Sequence, residues 1–491
     1  MKDYNKNVIT EAFPKLENSA FIRLLRTYFR SVWHIIVVVL LTTLSALFGL
    51  EIPVYYCFAL IALAICFFGD DTLGVLPVVC CAPMTIAIKH SPKHHPGVFF
   101  GDPSVTVQIF FCVALILIAF IARLISSFIR DPKRKLPRFT VGFAFLFIAY
   151  VIGGAFSAYY SKTTVLFGLM EIASISVAYF LFHLTVNWKK MPKGYFAYLF
   201  TAMSFGLVIQ ILSMYFQKGI VVNGEIERGR LFLGWAHYNY AGAVTAMCVP
   251  AIFYFSFTQK HSWIFTMLAT VVMLGVVLTQ SRGSILFGGI IYLACAVITL
   301  VKNKKRERIF NFILLGAVLV AAIIVSVVCI DGLKKIFAAI FRVGTDSNGR
   351  LEGEFIEAWG YFCRYPLFGV GWGGDNWKDG YAFFKYFKAH NTVLQLLGSL
   401  GLFGLVAYGF HRVQTCIALF RHPTVEKMSI ALTVSVLLLT CMMDVHIFSF
   451  GPAILYSVLL AFLEGENIRG GVDTRLKLKR LKMKKRENSA T

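Results

Sequence analysis

The apolar residues of this chain come in long unbroken blocks, and that arrangement leaves few folds open. A run of about 20 apolar residues spans the hydrocarbon core as a helix and satisfies its own backbone hydrogen bonds. About fourteen such blocks follow one another, near 31–50, 52–69, 72–88, 104–129, 140–160, 163–187, 195–216, 236–257, 263–280, 283–301, 309–330, 392–410, 428–446 and 449–464. The block at 72–88 is the weakest, being short and interrupted by Pro77 and Pro83. Only 15% of the residues are charged and mean hydropathy is +0.70, whereas a water-soluble domain needs more charge to cover its surface. The expected fold class is therefore all-α, a polytopic integral membrane bundle of about 12–14 spans. Its first block begins near Ser31, too late for an ordinary signal peptide.

A net charge of +23 invites a nucleic-acid partner, but the distribution of the charge argues against one. Basic residues cluster in short loops and at the ends, where they set membrane orientation. The clusters are Lys2 to Arg30, Lys133 to Arg138, Lys189 to Lys193, Lys302 to Arg308 and the tail from Arg475. Placing both termini in the cytoplasm puts all of them on that side, with Lys89 and Lys93 as a minor exception. The implied organisation is a cytoplasmic segment at 1–30, membrane helices at 31–330, an extracytoplasmic cap loop at 331–391, further membrane helices at 392–464 and a basic tail at 465–491. The eleven cysteines show no metal spacing and read as small buried hydrophobes. No metal site and no cofactor is expected.

The cap is too long for a connector and too aromatic for a disordered loop. It holds Trp359, Trp372, Trp377 and several Tyr and Phe, with glycines at 369, 371, 373 and 374. Residues 353–363 read as an amphipathic helix lying on the membrane surface. The informative charges are those that orientation leaves unexplained: Arg230, Arg282, Arg342, Arg350, Arg364 and His390, all expected outside. An arginine there either snorkels to lipid phosphate or binds a substrate anion. Ser281 and Gly283 leave room beside Arg282 for a diphosphate, which a planar guanidinium suits. His390 stands at the mouth of the twelfth block, ahead of Gly398, Gly401 and Gly404, a spacing read as a smooth strip for helix packing. Glu171 and Asp444 lie within spans near the outer face and are expected to pair with these arginines. No Walker loop, GxSxG elbow or SxxK sequence is present.

Taken in order, Gly229-Arg230, Gly234, Asn239 and Ala241, then Thr279-Gln280-Ser281-Arg282-Gly283, then Gly349-Arg350 and Trp359, Pro366 to Gly371, and His390-Asn391 with its glycines resemble the O-antigen ligase and O-antigen polymerase family. The resemblance covers residues 228–410. It implies a bacterial inner-membrane glycosyltransferase that moves a glycan from an undecaprenyl-diphosphate carrier to an acceptor hydroxyl outside, without a metal. Arg230 and Arg282 would hold the diphosphate and His390 would be the base. Arg350, Asn239, Asn391, Trp359 and Trp372 would contact substrate. The acceptor is a glycan, lipid or wall anchor for a ligase, or another carrier-linked repeat for a polymerase. A lipid-linked oligosaccharide transporter is the competing class. It predicts charges deep in several spans and inverted repeats, and neither is evident.

Overall fold

The structure is a computed structural model that describes residues 19–89, 103–130, 137–159, 162–222, 225–226, 230–328, 350–372 and 389–487. Arg342, Trp377 and the aromatics at 381–387, and the cluster at 133–135, lie outside the described residues. So do the side chains of Arg350 and of the tail from Gly471.

The described residues are helical nearly throughout. A bent pair opens it, α1 (Ala20–Phe29) and α2 (Val32–Phe48), followed by α3 (Glu51–Phe68), α4 (Val75–Cys81) and α5 (Pro103–Arg130). Helix α6 (Thr140–Phe147) runs through a π turn, and α7 (Lys162–Thr185) and α8 (Tyr195–Gln217) follow. Two short antiparallel ribbons pair Val221–Val222 with Glu225–Ile226 and Phe232–Leu233 with Ala236–His237. Then come α9 (Tyr238–Thr258), α10 (Ser262–Leu278), α11 (Arg282–Lys302) and α12 (Lys305–Val328). The short cap helix α13 (Ile356–Arg364) precedes α14 (Thr392–Phe420), α15 (Val425–Thr440) and α16 (Phe450–Glu487).

Every apolar block contains helix, but not every block forms one long unbroken helix. Seven described helices are long and apolar enough to cross a membrane, or eight when the pair α1–α2, bent by 68°, counts as one. Val75–Thr85, Thr140–Ala155 and Ser262–Leu278 are shorter than that. The block at 72–88 shows why. Gly74, Pro77 and Pro83 limit it to a seven-residue helix and a 3₁₀ turn, yet it still runs the length of α2. Asp71 meets Arg30 at one end of α2 (2.7 Å), and Ile88 N–H donates to Ala46 carbonyl at the other (2.9 Å). Such irregular backbone survives at membrane depth only when wrapped in protein, and residues 71–82 are almost all buried.

Helix α9 is the hub, with 83% of its apolar window buried. Ala241, Gly242, Ala243 and Ala246 give it a small-residue surface, so neighbouring backbones approach closely. The ends of the bundle differ in charge. Arg30 reaches Lys190 carbonyl, Gly194 N–H donates to Glu426, Arg469 pairs with Glu426 at 2.6 Å, and Arg138 N–H meets Glu464. The basic loops therefore share one end, and the turns at 230–239, 279–282, 389–392 and 441–445 gather at the other.

The glycines of α14 do something other than the helix packing expected of them. At Gly401 the helix breaks (φ 63°, ψ −157°), and the cap segment Pro366–Gly371 docks on the break. Val370 and Gly371 N–H groups donate to Gly398 and Ser399 carbonyls, and Leu402 and Phe403 N–H groups donate back to Pro366 and Leu367. A Cβ on Gly401 would lie 2.5 Å from the Leu367 carbonyl carbon, in a backbone region open essentially to glycine alone. Gly401→Ala should therefore destabilise the protein by on the order of 3 kcal/mol. Gly409→Ala, which meets nothing within 4 Å, should be nearly neutral. Thermal unfolding of the two purified variants checks this, and equal melting temperatures would contradict the docking role.

The cap helix α13 is amphipathic, as expected; one side of it packs on protein while Ile356 and Trp359 stay exposed. Ala358 and Tyr361 join Val370, Ala389, Tyr159 and Leu394 in a small core over the end of α14. Cys363 on this helix is exposed. With the cap outside, a membrane-impermeant maleimide should label Cys363 in intact cells and lose that signal in Cys363→Ser. Labelling only after the inner face is opened would reverse the orientation.

Candidate active site

The site begins with a helix start. Asn391 caps α14, its Oδ1 accepting from Val393 and Leu394 N–H groups (2.9 and 3.1 Å), which satisfies two of the orphan donors of the first turn. Its Nδ2 donates to Met442 carbonyl (2.9 Å), and Thr392 N–H donates to Cys441 carbonyl (3.0 Å). These bonds tie the mouth of α14 to the turn after α15. Next to them His390 is held at φ 45°, a left-handed conformation that costs any residue with a Cβ energy and clusters at functional sites.

His390 Nδ1 lies 3.0 Å from Asp444 Oδ1. Asp444 is 4% exposed, and both its oxygens have partners: Asn239 Nδ2 donates to Oδ2 (2.9 Å) and Val445 N–H to Oδ1 (2.8 Å). Burial alone would raise the Asp444 carboxyl. The bond from His390, the charges of His446 and His390 and the Val445 N–H outweigh it, holding the group well below the usual carboxylate range. A carboxylate at Nδ1 fixes the proton there and leaves Nε2 as the nitrogen for chemistry. On that side Glu354 Oε1 stands 3.6 Å away.

Arg282 is the first residue of α11, whose start packs into the same corner. Ser284 Oγ donates to Asn239 carbonyl (3.5 Å) and shares a hydrogen bond with Ser281 Oγ (2.7 Å). A Cβ on Gly283 would meet Met443 at 3.0 Å, and one on Gly242 would meet Thr279 and Ser281 within 2.8 Å. Only glycines let α9, α11 and the 441–445 turn come so close. Gln280, at φ 54°, makes the sharp reversal before Arg282, and no side chain caps α11. The starts of α9, α11 and α14 thus face one corner, and their dipoles make it favourable for an anion.

The other expected residues divide. Arg230 is exposed on the strand approach to α9, its Nη1 donating to Lys218 and Gly219 carbonyls (3.3 Å each). It shares the end of the bundle with His390 but sits on the adjoining ribbon. Asn239 orients Asp444, and Asn391 orients the His390 segment, so each has a holding role where a substrate contact was expected. Trp359 is 52% exposed and offers a ring face. Trp372 does not: it is 1% exposed, edge-on to Tyr150 and Phe448 (5.1 and 5.3 Å), and is a core residue rather than a sugar platform. Glu171 is half-buried on α7. Asp444 was expected to pair with an arginine and instead pairs with His390. Glu354 went unconsidered, since an acid in a cap carries no signal of its own.

Residues 265–409 match the O-antigen ligase family. That stretch is similar to the O-antigen ligase domain. No curated protein matches the chain. The domain starts within α10 and ends within α14, so it contains Arg282, Glu354, His390 and the break at Gly401. Asn239 and Asp444, which complete the histidine's surroundings, come from segments before and after it. Similarity to this family over these residues supports O-antigen ligase-type glycosyl transfer in polysaccharide assembly.

Proposed function

We propose that the chain moves a glycan from an undecaprenyl-diphosphate carrier to an acceptor hydroxyl on the outer face of a bacterial inner membrane, without a metal ion. The observation that carries this reading is the Asp444–His390 pair, with Nε2 turned away from Asp444 towards Glu354. The acceptor O–H gives its proton to Nε2 as its oxygen bonds to the anomeric carbon. The bond from that carbon to the diphosphate breaks, and the diphosphate leaves with the electron pair. Asp444 stabilises the imidazolium that forms. Negative charge grows on the leaving diphosphate, so Arg282, Arg230 and the three helix starts bind the transition state more strongly than the ground state. Trp359 offers a face for a sugar, and Arg350 assists with donor or sugar.

Ligase and polymerase share this donor chemistry and differ in the acceptor. Purified protein given carrier-linked glycan and a non-carrier sugar acceptor, with a chelator present, should release carrier diphosphate in step with product. A single-addition product identifies a ligase, and a ladder of carrier-linked products identifies a polymerase. Movement of intact donor across a vesicle bilayer with no bond broken would instead make the chain a transporter.

A further inference from the structure

The second ribbon, just ahead of α9, carries a row of rings that ends beside Asp444. A strand turns alternate side chains to opposite faces. Leu233 and Ala236 are turned into the core, which leaves the cross-strand pair Phe232 and His237 on the other face, where both are partly exposed. Their rings meet nearly edge-on (4.8 Å, 73°). Tyr238 lies against His237 (3.8 Å), and Tyr240 continues the row to His446 (5.0 Å). Both tyrosines are partly exposed as well. The two ends of the row meet residues already placed at the site. Arg230 stands two residues before Phe232, and His446 stands two residues after Asp444. Between the tyrosines, Asn239 donates to Asp444 Oδ2 (2.9 Å).

We propose that Phe232, His237, Tyr238 and Tyr240 form a glycan-binding subsite, which holds sugar units beyond the one that reacts and gives the protein a preference for longer chains. The proposal rests on the glycosyl-transfer reading above. A sugar ring has a face of C–H groups that lies on an aromatic ring and a rim of hydroxyls that bonds to polar groups. The row offers both kinds of partner. Lys218 Nζ donates to the Phe232 carbonyl, and Arg230 and Asn239 flank the rings; rings with a few placed polar groups are the usual lining of a ligand site. The helices that face lipid differ. Helices α5 and α12 expose mostly aliphatic side chains, such as Ile118, Ile121, Leu319 and Ile323, and paired strands are not left open to the hydrocarbon core of a bilayer. His237 Nδ1 accepts from Asn239 N–H (3.2 Å), which fixes that ring, and Asn239 is itself tied to Asp444. A sugar stacked on the row is therefore held in register with His390, so that binding away from the reacting bond aligns the sugar that reacts.

The test compares full-length purified wild type, Phe232→Leu and Phe232→Tyr on undecaprenyl-diphosphate-linked donors and soluble sugar acceptors, each with one sugar or with four or more. Wild type should have a KM on the order of ten-fold lower for the longer chains. Phe232→Leu keeps an apolar side chain on the outer face of the ribbon but no ring, and should have nearly the same KM for short and long chains. Phe232→Tyr keeps the ring and should restore the preference. Lengthening donor and acceptor separately identifies which of the two lies on the row. The unfolding temperature establishes that each variant is folded, and Tyr238→Leu carries the test if Phe232→Leu is not. A wild type without the preference, a preference that survives loss of the ring, or a KM raised equally for short and long chains overturns the subsite alone. Binding of the carrier-free oligosaccharide is measured on the same preparations. Binding that needs the ring, in a wild type that transfers nothing, keeps the subsite and overturns the glycosyl-transfer reading beneath it.

Discussion

Asp444→Asn should lower glycan transfer by about 10²–10⁴-fold while leaving the protein folded and its donor bound. The amide keeps the size of the carboxylate and one acceptor oxygen for the Val445 N–H (2.8 Å in the wild type). It lacks the negative charge that fixes the proton on His390 Nδ1 and stabilises the imidazolium. Acid should act differently from the mutation. The folded-state carboxyl is held below its unfolded value, so its charged form stabilises the fold above the unfolded pKa of about 3.9. That stability is lost only as pH falls through the lower folded value. From neutral pH down to the unfolded pKa the wild-type pair therefore stays charged at Asp444, and no titration of this group should appear in the pH–rate profile. An acid limb that disappears in Asp444→Asn would place the titration on the wrong residue.

Arg282 should fail in another way. Losing a charge-assisted hydrogen bond to phosphate costs on the order of 1.5–3 kcal/mol, so Arg282→Ala should lose donor affinity as well as rate. Arg282→Lys restores the charge without the planar fork, and the expected rescue is partial. Donor affinity equal to wild type in Arg282→Ala would detach this residue from the diphosphate and leave Arg230 as the better candidate.

Which parts of this were legible in the sequence follows from what is local. Hydropathy blocks, basic loops and the position of Arg282 between two apolar blocks are properties of short stretches, and the helices and the shared end of the basic loops followed from them. The breaks within the blocks were not legible, because proline and glycine at 74, 77 and 83 shorten a helix without stopping the chain from traversing the bundle. The glycines of α14 were misread for a related reason. Their spacing is equally compatible with a partner helix, and only the cap segment at 366–371 shows that Gly401 is a break. The site was half legible. His390 and Arg282 stood out as charges that orientation did not need, but the bond that gives His390 its chemistry spans 54 positions and the one that orients Asp444 spans 205. Pairings at that distance are set by the packing of α9, α14 and α15 together. Trp372 erred in the opposite direction, since an aromatic in a glycine-rich loop looks exposed until the loop docks.

The most direct measurement follows donor binding and glycan transfer in parallel on one preparation of His390→Ala at neutral pH. With Asp444, Arg282 and the three helix starts intact, the variant should bind carrier-linked donor like the wild type. Without a group to take the acceptor's proton, transfer should fall by about 10²–10⁴-fold. Donor bound and almost no product is the expected result, and transfer at the wild-type rate would contradict the assignment of His390 as the base.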